Sequence, residues 1–300
     1  MTPVAGHRER KQLDVMTEET RESQTLRQTA ARAARGVGDQ LRAAFRAPME
    51  RDFKRDAHEI VTVHDMAAER SITAALLAAD ADAMIVGEEG GTQGAGRVQW
   101  HIDPIDGTSN FARGLAYWCV SIAAVIDGRV VAGVVFDPVA GNLFSADLSG
   151  AWLGDEPLVS RAASCEIDAT LVSSFPNPKD SWLFGESAYE AQSRLVSSFQ
   201  AVRNLGSGAL NLVHVAAGWA DATMGFFTNS WDIAAGGFIL ERAGGRIRGL
   251  AGGEDLRPFY LAPDYYAVGR DGDYETLSDV MRTWSSRYDA SNPPPHHPPS

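Results

Sequence analysis

The sequence predicts an α+β fold, or a layered α/β fold, for this chain of 300 residues. Three observations predict it: a run of strands between residues 98 and 150, an alternation of helices and short strands after residue 171, and a hydrophobic content of 44% that suffices for a core. Within the strand run, Asp127-Gly128 separates two apolar segments, which is a strong hairpin signal. We therefore expect a mostly antiparallel sheet in the first half of the chain.

Two helices and a strand are expected before the strand run. Residues 1–20 are polar and lack apolar periodicity, so we expect them to form a disordered N-terminal tail. Apolar residues at helical spacing predict a first helix over residues 26–45 and a second over residues 65–77. Residues 83–86 predict a short strand that ends in the sequence Gly-Glu-Glu-Gly-Gly.

Turn-forming residues gather between residues 165 and 185 and predict a boundary between two lobes. The first lobe, residues 21–170, would be α+β, and the second, residues 171–290, would be α/β. The second lobe is expected to contain helices at 186–199, 207–218, 231–243 and 273–288, and strands at 201–204, 220–226, 246–250 and 266–270. Residues 291–300 contain five of the 14 prolines and are expected to form a disordered Pro-rich tail.

The charge balance excludes some classes of partner. The chain has 27 Lys and Arg against 39 Asp and Glu, a net charge of −12, so nucleic acids and anionic membranes would be repelled. A small anionic substrate would need a metal ion or a ring of backbone N–H groups. Cys119 and Cys165 form no C-x-x-C pair, and no apolar secretory segment is present, so we expect a cytoplasmic protein.

The most informative motif is Trp-His-Ile-Asp-Pro-Ile-Asp-Gly-Thr-Ser-Asn-Phe, residues 100–111. Asp103 and Asp106 leave an apolar strand with Pro104 restricting the backbone between them. This arrangement can aim both carboxylates and the carbonyl of Ile105 at one point. The alternative is an ordinary turn in which the aspartates are turn formers.

The residues that follow can attract an anion. Gly107 opens a turn into a short helix, which places the N–H groups of Gly107 and Thr108 at a helix N-terminus. In the alternative interpretation, Thr108 is only a cap for that helix.

Three further acidic sites are separated along the chain. Glu88 and Glu89 lie between glycines at a strand end, where a cation would offset their repulsion, although a solvated acidic loop is the alternative. Asp232 precedes a helix of small residues, where it could instead be a cap. Asp65 and Glu69 share one helical face, where the alternative is a cap with a solvated partner.

Four acidic sites without a Cys or His cluster indicate oxygen ligands, which select Mg²⁺, Mn²⁺ or Ca²⁺ over zinc. Mg²⁺ is preferred because it typically binds a few carboxylates together with substrate phosphate. The sequence contains no G-x-S-x-G elbow, Walker loop or H-E-x-x-H, which disfavours serine hydrolase, P-loop and zincin chemistry.

These segments resemble those of the inositol monophosphatase family, a group of Mg²⁺-dependent, lithium-sensitive phosphomonoesterases. The resemblance covers about residues 60–250 and includes Gly-Glu-Glu-Gly, the motif at 100–111, Arg-Asn-Leu-Gly-Ser-Gly, and Trp-Asp-Ile-Ala-Ala-Gly. It implies a five-layered αβαβα sandwich of the inositol monophosphatase/fructose-1,6-bisphosphatase type. It also implies a homodimer, with metal-site loops in the first lobe and an active site completed by the second.

The resemblance assigns roles to individual positions. It implies two or three Mg²⁺ per site, with Mn²⁺ as a possible substitute, held by Glu88, Asp103, the Ile105 carbonyl, Asp106 and Asp232. It implies that Asp65 and Thr108 orient and deprotonate the attacking water. Contacts to the phosphate or substrate are assigned to Gly107, Thr108, Gly206, Ser207 and Gly225, and supporting positions to Glu89 and Glu69.

One departure concerns the substrate. Many members carry a Glu that hydrogen-bonds inositol where this sequence has Gly225, which we expect to leave room for a bulkier leaving group. We expect Phe226, Phe227 and Asn229 to line this space. The predicted function is hydrolysis of inositol monophosphate or a similar polyol or sugar phosphate. The alternatives are fructose-1,6-bisphosphatase, histidinol-phosphate phosphatase or 3′-phosphonucleotide phosphatase activity, and, from another class, a catalytically silent binding or scaffold protein.

Overall fold

The computed structural model describes residues 5–47, 52–53 and 60–288, with side chains at 18–47 and 62–288. Its helices are α1 (Ala5–Ala44), α2 (Val63–Ala79), α3 (Thr108–Arg113), α4 (Pro178–Phe184), α5 (Glu186–Ser198), α6 (Gly208–Ala216), α7 (Ser230–Arg242) and α8 (Glu275–Ser285). Its first ten strands are β1 (Asp52–Phe53), β2 (Ile60–Val61), β3 (Met84–Gly87), β4 (Gly91–Gln93), β5 (Val98–Asp106), β6 (Cys119–Ile126), β7 (Arg129–Asp137), β8 (Asn142–Asp147), β9 (Gly150–Leu153) and β10 (Glu156–Pro157). The remaining strands are β11 (Thr170–Ser173), β12 (Ala201–Asn204), β13 (Ala222–Gly225), β14 (Arg246–Ala251), β15 (Glu254–Leu256) and β16 (Asp264–Val268).

Helices and sheets alternate in five layers. Helices α1 and α2 cover one face of an eight-stranded sheet, and α6 and α7 lie between its other face and a six-stranded sheet. Helices α5 and α8 cover the outer face of the second sheet. Each layer buries an apolar face against the next. The buried residues form three hydrophobic cores, one of which includes both faces of the middle layer of helices. The predicted αβαβα architecture is confirmed.

The first sheet has the order β10-β9-β8-β7-β6-β5-β3-β4 and is antiparallel except for the pair β3–β5. Asp127 and Gly128 both have positive φ angles in the β6–β7 turn, as the hairpin signal requires. In the second sheet, β11 runs parallel to β12 and β13, whereas β16 is antiparallel to β13 and β14. The mostly antiparallel character of the first sheet agrees with the prediction.

Helix α1 begins earlier than expected. We predicted that residues 1–20 are disordered, whereas the backbone is helical from Ala5. The Glu, Arg, Lys and Gln residues of this segment have high helix propensity, so a helix needs no apolar stripe there. Farther along, Ser23 Oγ donates to the Val131 carbonyl at 2.7 Å, and Arg27 pairs with Asp147 at 2.8 Å. These contacts hold the helix on the first sheet.

The proposed division at residue 170 stays a prediction. The first sheet ends at Pro157 and the second begins at Thr170, but the helices between the sheets contact both. The predicted tail at 291–300 lies outside the described residues. No helix in the described part of the chain combines the length and the hydropathy needed to cross a bilayer.

Candidate active site

Asp103 and Asp106 leave the first sheet at an irregularity in β5. Asp103 lies opposite Ser121 and Asp106 opposite Cys119, with a shift of register between the two pairs. The Ile105 N–H donates to Asp103 Oδ1 at 3.0 Å, which turns this carboxylate back along its own strand. A bulge re-aims side chains in this way, and here it lies between two buried acids at the C-terminal end of β5.

Asp106 is also held from the second half of the chain. Ser207 Oγ donates to Asp106 Oδ2 at 2.5 Å, and the Ala209 N–H donates to the same oxygen at 2.7 Å. Ser207 is the N-cap of α6, and its hydroxyl also accepts the Leu210 N–H. The family resemblance assigns Ser207 to phosphate or substrate binding, and that role stays a prediction. In the structure its hydroxyl donates to the Asp106 carboxylate.

Asp65 and Thr108 lie in direct contact. The Thr108 hydroxyl is 3.1 Å from Asp65 Oδ1 and 2.9 Å from the carbonyl oxygen of Ile105. The other Asp65 oxygen accepts the Thr62 N–H at 2.8 Å and the Thr62 hydroxyl at 2.7 Å. Asp65 therefore belongs to the capping box of α2 and reaches Thr108 as well, so the cap and the predicted catalytic role are compatible.

Glu69 anchors the loop that carries Glu88 and Glu89. Its two carboxylate oxygens accept the Glu89 N–H at 2.8 Å and the Gly90 N–H at 2.6 Å. A Cβ atom added at Gly87 would lie 2.5 Å from the Glu69 carboxylate, so only glycine lets the loop approach so closely. Glu69 thus holds the backbone next to Glu88 in place.

Asp232 lies in the first turn of α7. Its Oδ2 accepts the Asn229 N–H at 2.6 Å and is 3.4 Å from the Asn229 side-chain nitrogen. Two hydrogen bonds tie this turn to the first sheet: Ser121 Oγ donates to the Trp231 carbonyl at 3.1 Å, and Ser230 Oγ lies 2.7 Å from His101 Nδ1.

The charges of these acids affect one another's pKa values. Burial raises the pKa of Asp103 well above its ordinary range, and the charges of Glu88, Asp106 and Asp232 raise it further. Burial likewise raises the pKa of Asp106 to about 6 and that of Asp232 to about 8, with Glu88 adding to both. Burial raises the pKa of Asp65, and Glu88 contributes there too. These carboxyls thus raise one another's pKa values, and a divalent cation bound among them would offset the repulsion between their charged forms.

The donor set fits a hard divalent cation. Carboxylates and a backbone carbonyl are the oxygen ligands that Mg²⁺ prefers. Within the described residues, no group of three or more His, Cys, Asp or Glu side chains is close enough together in this structure to hold a metal ion. Three of the acids are nevertheless oriented by backbone N–H groups: Ile105 donates to Asp103, Ala209 to Asp106 and Asn229 to Asp232.

Gly107 and Gly206 lie against each other, although a long stretch of chain separates them. A Cβ atom at Gly107 would meet the Tyr117 carbonyl at 2.9 Å and the Gly206 carbonyl at 3.3 Å. Both glycines have positive φ angles, 94° and 80°. The side chain of Asn110 donates to the carbonyls of Tyr117 and Leu205, each at 2.8 Å, and so joins the two segments. Asn110 belongs to the motif at residues 100–111, but nothing in the sequence indicated that its side chain joins these two segments.

A cavity of about 210 Å³ opens beside Asp106 and Asp232. Its lining includes the predicted positions Gly206, Gly225, Phe226 and Phe227 together with Ser174, Phe175, Asn177 and Asp180. Asn229, which we expected in this lining, is not among the residues that bound the cavity and instead contacts Asp232. The segment from Ser174 to Asp180 was read only as a turn-rich boundary, so its place at the site was missed.

The family model described as the inositol monophosphatase family matches residues 22–283. The chain belongs to this family. A Pseudomonas aeruginosa protein named Nus factor SuhB is 34% identical over 285 residues, which cover 92% of this chain and 98% of the relative. The inositol monophosphatase structure from Anabaena has a TM-score of 0.72 and 28% identity, covering 87% of this chain and 95% of that one. The extragenic suppressor protein suhB from Bartonella henselae shares the fold, with a TM-score of 0.77, 24% identity, and coverage of 87% and 98%.

Proposed function

We propose that this protein is a Mg²⁺-dependent phosphomonoesterase that hydrolyses inositol monophosphate or a similar polyol or sugar phosphate. The observation that carries the proposal is the convergence of Asp103, Asp106 and Asp232 around Glu88 beside a cavity. Phosphate esters are anionic, and the chain as a whole has a net charge of −12. A substrate of that charge would be repelled here unless a cation were bound among the acids.

Glu88, Asp103, the Ile105 carbonyl, Asp106 and Asp232 would hold the cation. Bound there, Mg²⁺ would lower the pKa of a coordinated water and neutralise charge on the phosphate and the leaving oxygen. The chain's own part is to keep the carboxylates oriented, which the N–H groups of Ile105 and Ala209 accomplish. Membership of a family that is generally metal-dependent supports this assignment.

Asp65 and Thr108 would handle the proton. When the Thr108 hydroxyl directs its proton to Asp65, its own lone pairs are left to accept a hydrogen bond from the attacking water. A proton leaving the water can then pass through the hydroxyl to the carboxylate. Burial raises the pKa of Asp65, which makes it a stronger proton acceptor than an exposed aspartate. The N–H groups of Gly107 and Thr108 would contact the phosphate oxygens.

The relatives named Nus factor SuhB favour a second candidate, a binding function that needs no catalysis. A chain that had kept only a binding function would be free to lose the acids. This chain retains Asp65, Glu88, Asp103, Asp106 and Asp232, together with Thr108. Hydrolysis is therefore the leading proposal. We further propose that the protein is a cytoplasmic homodimer whose partner is a small phosphate ester rather than nucleic acid or a membrane.

Phosphate release tests the proposal. We expect wild-type protein to release phosphate from at least one of inositol-1-phosphate, fructose-1,6-bisphosphate, histidinol phosphate, glycerol-2-phosphate and adenosine-3′,5′-bisphosphate, and only with Mg²⁺ present. Asp103→Asn should lose Mg²⁺ binding and activity together while remaining folded by circular dichroism.

The matched control is Asp221→Asn. Asp221 also accepts backbone N–H groups, from Ala163 at 2.7 Å and Thr170 at 2.6 Å, but it lies at the opposite end of β13 from the cavity. Its substitution should leave activity unchanged. Turnover of no ester by the wild type, or a fully active Asp103→Asn protein, would contradict the proposal.

A further inference from the structure

The cavity beside the acids is lined from two parts of the chain. Asp106 and Asp232 border it, and so do Ser174, Phe175, Asn177 and Asp180, from β11 to the first turn of α4. Aromatic and apolar side chains form much of the remaining wall: Met224, Phe226, Phe227 and Tyr265. If the phosphate lies beside Asp106 and Asp232, the alcohol part of the substrate must lie along this wall.

Position 225 cannot contribute a side chain to this space. A Cβ atom on Gly225 would lie 2.8 Å from Tyr265 Cε1 and 3.3 Å from Thr228 Cγ2. Tyr265 is only 1% exposed, so its ring cannot move aside without disturbing the core. The absence of a carboxylate at 225 is therefore built into the packing and does not simply leave room for a bulkier group. Recognition of the alcohol must come from elsewhere in the lining.

A further carboxylate, that of Asp180, lines the cavity. It is 1% exposed and lies in the first turn of α4, where Asn177 caps the helix. Asp180 Oδ2 accepts the Asn177 N–H at 2.9 Å, but Oδ1 has no hydrogen-bond partner among the side chains and backbone that the structure describes. A buried acceptor without a donor is costly, so such groups are usually completed by water or a ligand.

The surroundings of Asp180 favour a donor over an anion. Burial raises the pKa of Asp180 to about 7, the nearby Lys179 lowers it, and the charge of Asp264 raises it. The Lys179 ammonium lies 4.5 Å from the centre of the Phe227 ring. Asp180 is the charged side chain of this pair that lines the cavity, since Lys179 is not among the lining residues. A hydroxyl or an ammonium group would be accepted there more readily than a second phosphate.

We propose that Asp180 recognises the leaving alcohol of the substrate by accepting a hydrogen bond from a hydroxyl or ammonium group distant from the ester. This inference rests on the proposed phosphomonoesterase function and names its substrate class. The substrate is a small phosphate monoester whose carbon skeleton packs on the aromatic wall and whose far end donates to Asp180. Asp180 replaces, from α4, the carboxylate that position 225 lacks.

Matched esters test this in the intact wild-type protein with Mg²⁺. Propyl phosphate, 3-hydroxypropyl phosphate and 3-aminopropyl phosphate share a skeleton and differ only in the terminal donor. We expect kcat/KM to be about 10- to 100-fold higher for the esters with a donor, the range that one buried hydrogen bond to a charged group supplies. Because this ranking is measured in the wild type, it does not depend on the folding of any variant.

The Asp180→Asn variant provides a second test, which removes the charge of this side chain. An asparagine oxygen can still accept the Asn177 N–H, so the start of α4 should be kept while the charge is removed. We expect the ratio of kcat/KM for each donor ester to kcat/KM for propyl phosphate to fall toward one in Asp180→Asn. The control variant Asp221→Asn should keep the wild-type ratio. A larger loss for the amino ester than for the hydroxy ester would identify an ammonium as the preferred group, and a larger loss for the hydroxy ester would identify a hydroxyl.

Other outcomes would overturn the assignment. Equal wild-type turnover of the three esters, or an equal loss on all of them in Asp180→Asn, would show that Asp180 does not contact the alcohol. A preference for propane-1,3-diol bisphosphate would do the same, since a second phosphate would have been drawn to Lys179. Turnover of no ester at all would instead refute the phosphomonoesterase function itself.

Discussion

The hydroxyl of Thr108 has one proton and two acceptors within reach, Asp65 Oδ1 at 3.1 Å and the Ile105 carbonyl at 2.9 Å. This position links the proposed proton acceptor on α2 to the end of β5, which carries proposed metal ligands. A hydroxyl at this place is more than a helix cap, because the N-cap of α3 is Gly107 and the Thr108 side chain points back to α2.

Thr108→Val tests the role of this hydroxyl, because valine keeps the shape and removes the proton path. We expect kcat to fall by about 10²- to 10⁴-fold, the range of positioned general-base catalysis, with little change in the free energy of unfolding. Steady-state kinetics and urea unfolding measure both quantities. Thr108→Ser, which keeps the hydroxyl, should retain most of the activity; similar activity in the two variants would rule out the proposed path.

The acids themselves could be predicted from sequence because they stand in short motifs. Their partners could not, since those contacts join distant parts of the chain. Asp106 receives its hydrogen bonds from Ser207 and Ala209, 101 and 103 residues away. The contact between Gly225 and Tyr265 was missed for the same reason, and the glycine was read as open space.

At the scale of elements, the β3–β4 loop depends on α2 for its position. Glu69 on α2 holds two successive backbone N–H groups of this loop, those of Glu89 and Gly90. The geometry places Glu88 next to the other acids only while both hydrogen bonds persist. One helix therefore supplies both the proposed proton acceptor, Asp65, and the anchor for a proposed metal ligand.

Glu69→Gln should loosen this loop. A glutamine has a single acceptor oxygen, so one of the two N–H groups loses its partner, at a cost of about 1–3 kcal/mol. We expect faster hydrogen exchange in a peptide covering residues 88–93, together with weaker Mg²⁺ binding. Glu19→Gln is a suitable control because Glu19 forms an exposed ion pair with Arg129, away from this loop. Unchanged exchange in Glu69→Gln would show that the carboxylate does not hold the loop.

Most elements could be predicted where apolar periodicity or turn chemistry was strong. Helices α5, α6 and α7 lie within two residues of their predicted ends, and β12 matches residues 201–204. Helix α4 was missed because Asn177 and Pro178 were read only as turn formers. The same residues form a helix start, with Asn as the cap and Pro in the first turn, so the signal was present. The early start of α1 was missed because its first turns lack apolar periodicity.

At the scale of the whole molecule, buried histidines make stability depend on pH. Burial lowers the pKa of His214 to about 4, from 6.5. Between pH 6.5 and about 4, His214 therefore binds a proton in the unfolded chain but not in the folded protein. The contribution of His214 to stability therefore falls as pH drops from 6.5 to about 4, by at most about 3 kcal/mol, and is constant below that.

His214→Phe should flatten this part of the pH profile. Urea unfolding between pH 7 and pH 4 measures the slope, on buffers at constant ionic strength. Trp219→Phe alters the same aromatic cluster, where the His214 and Trp219 rings are 5.1 Å apart, without removing a titrating group. This control should keep the wild-type slope. An unaltered slope in His214→Phe would mean that the histidine is protonated in the folded protein.

The central claim is that Glu88, Asp103, Asp106 and Asp232 hold a divalent cation together, although they come from separate segments of the chain. Crystals grown with Mn²⁺ test it most directly, because the ion gives an anomalous signal that water and light ions lack. We expect an anomalous peak bounded by these side chains and the Ile105 carbonyl. A map with no peak there, or one in which the four carboxylates face apart with the ion elsewhere, would contradict it.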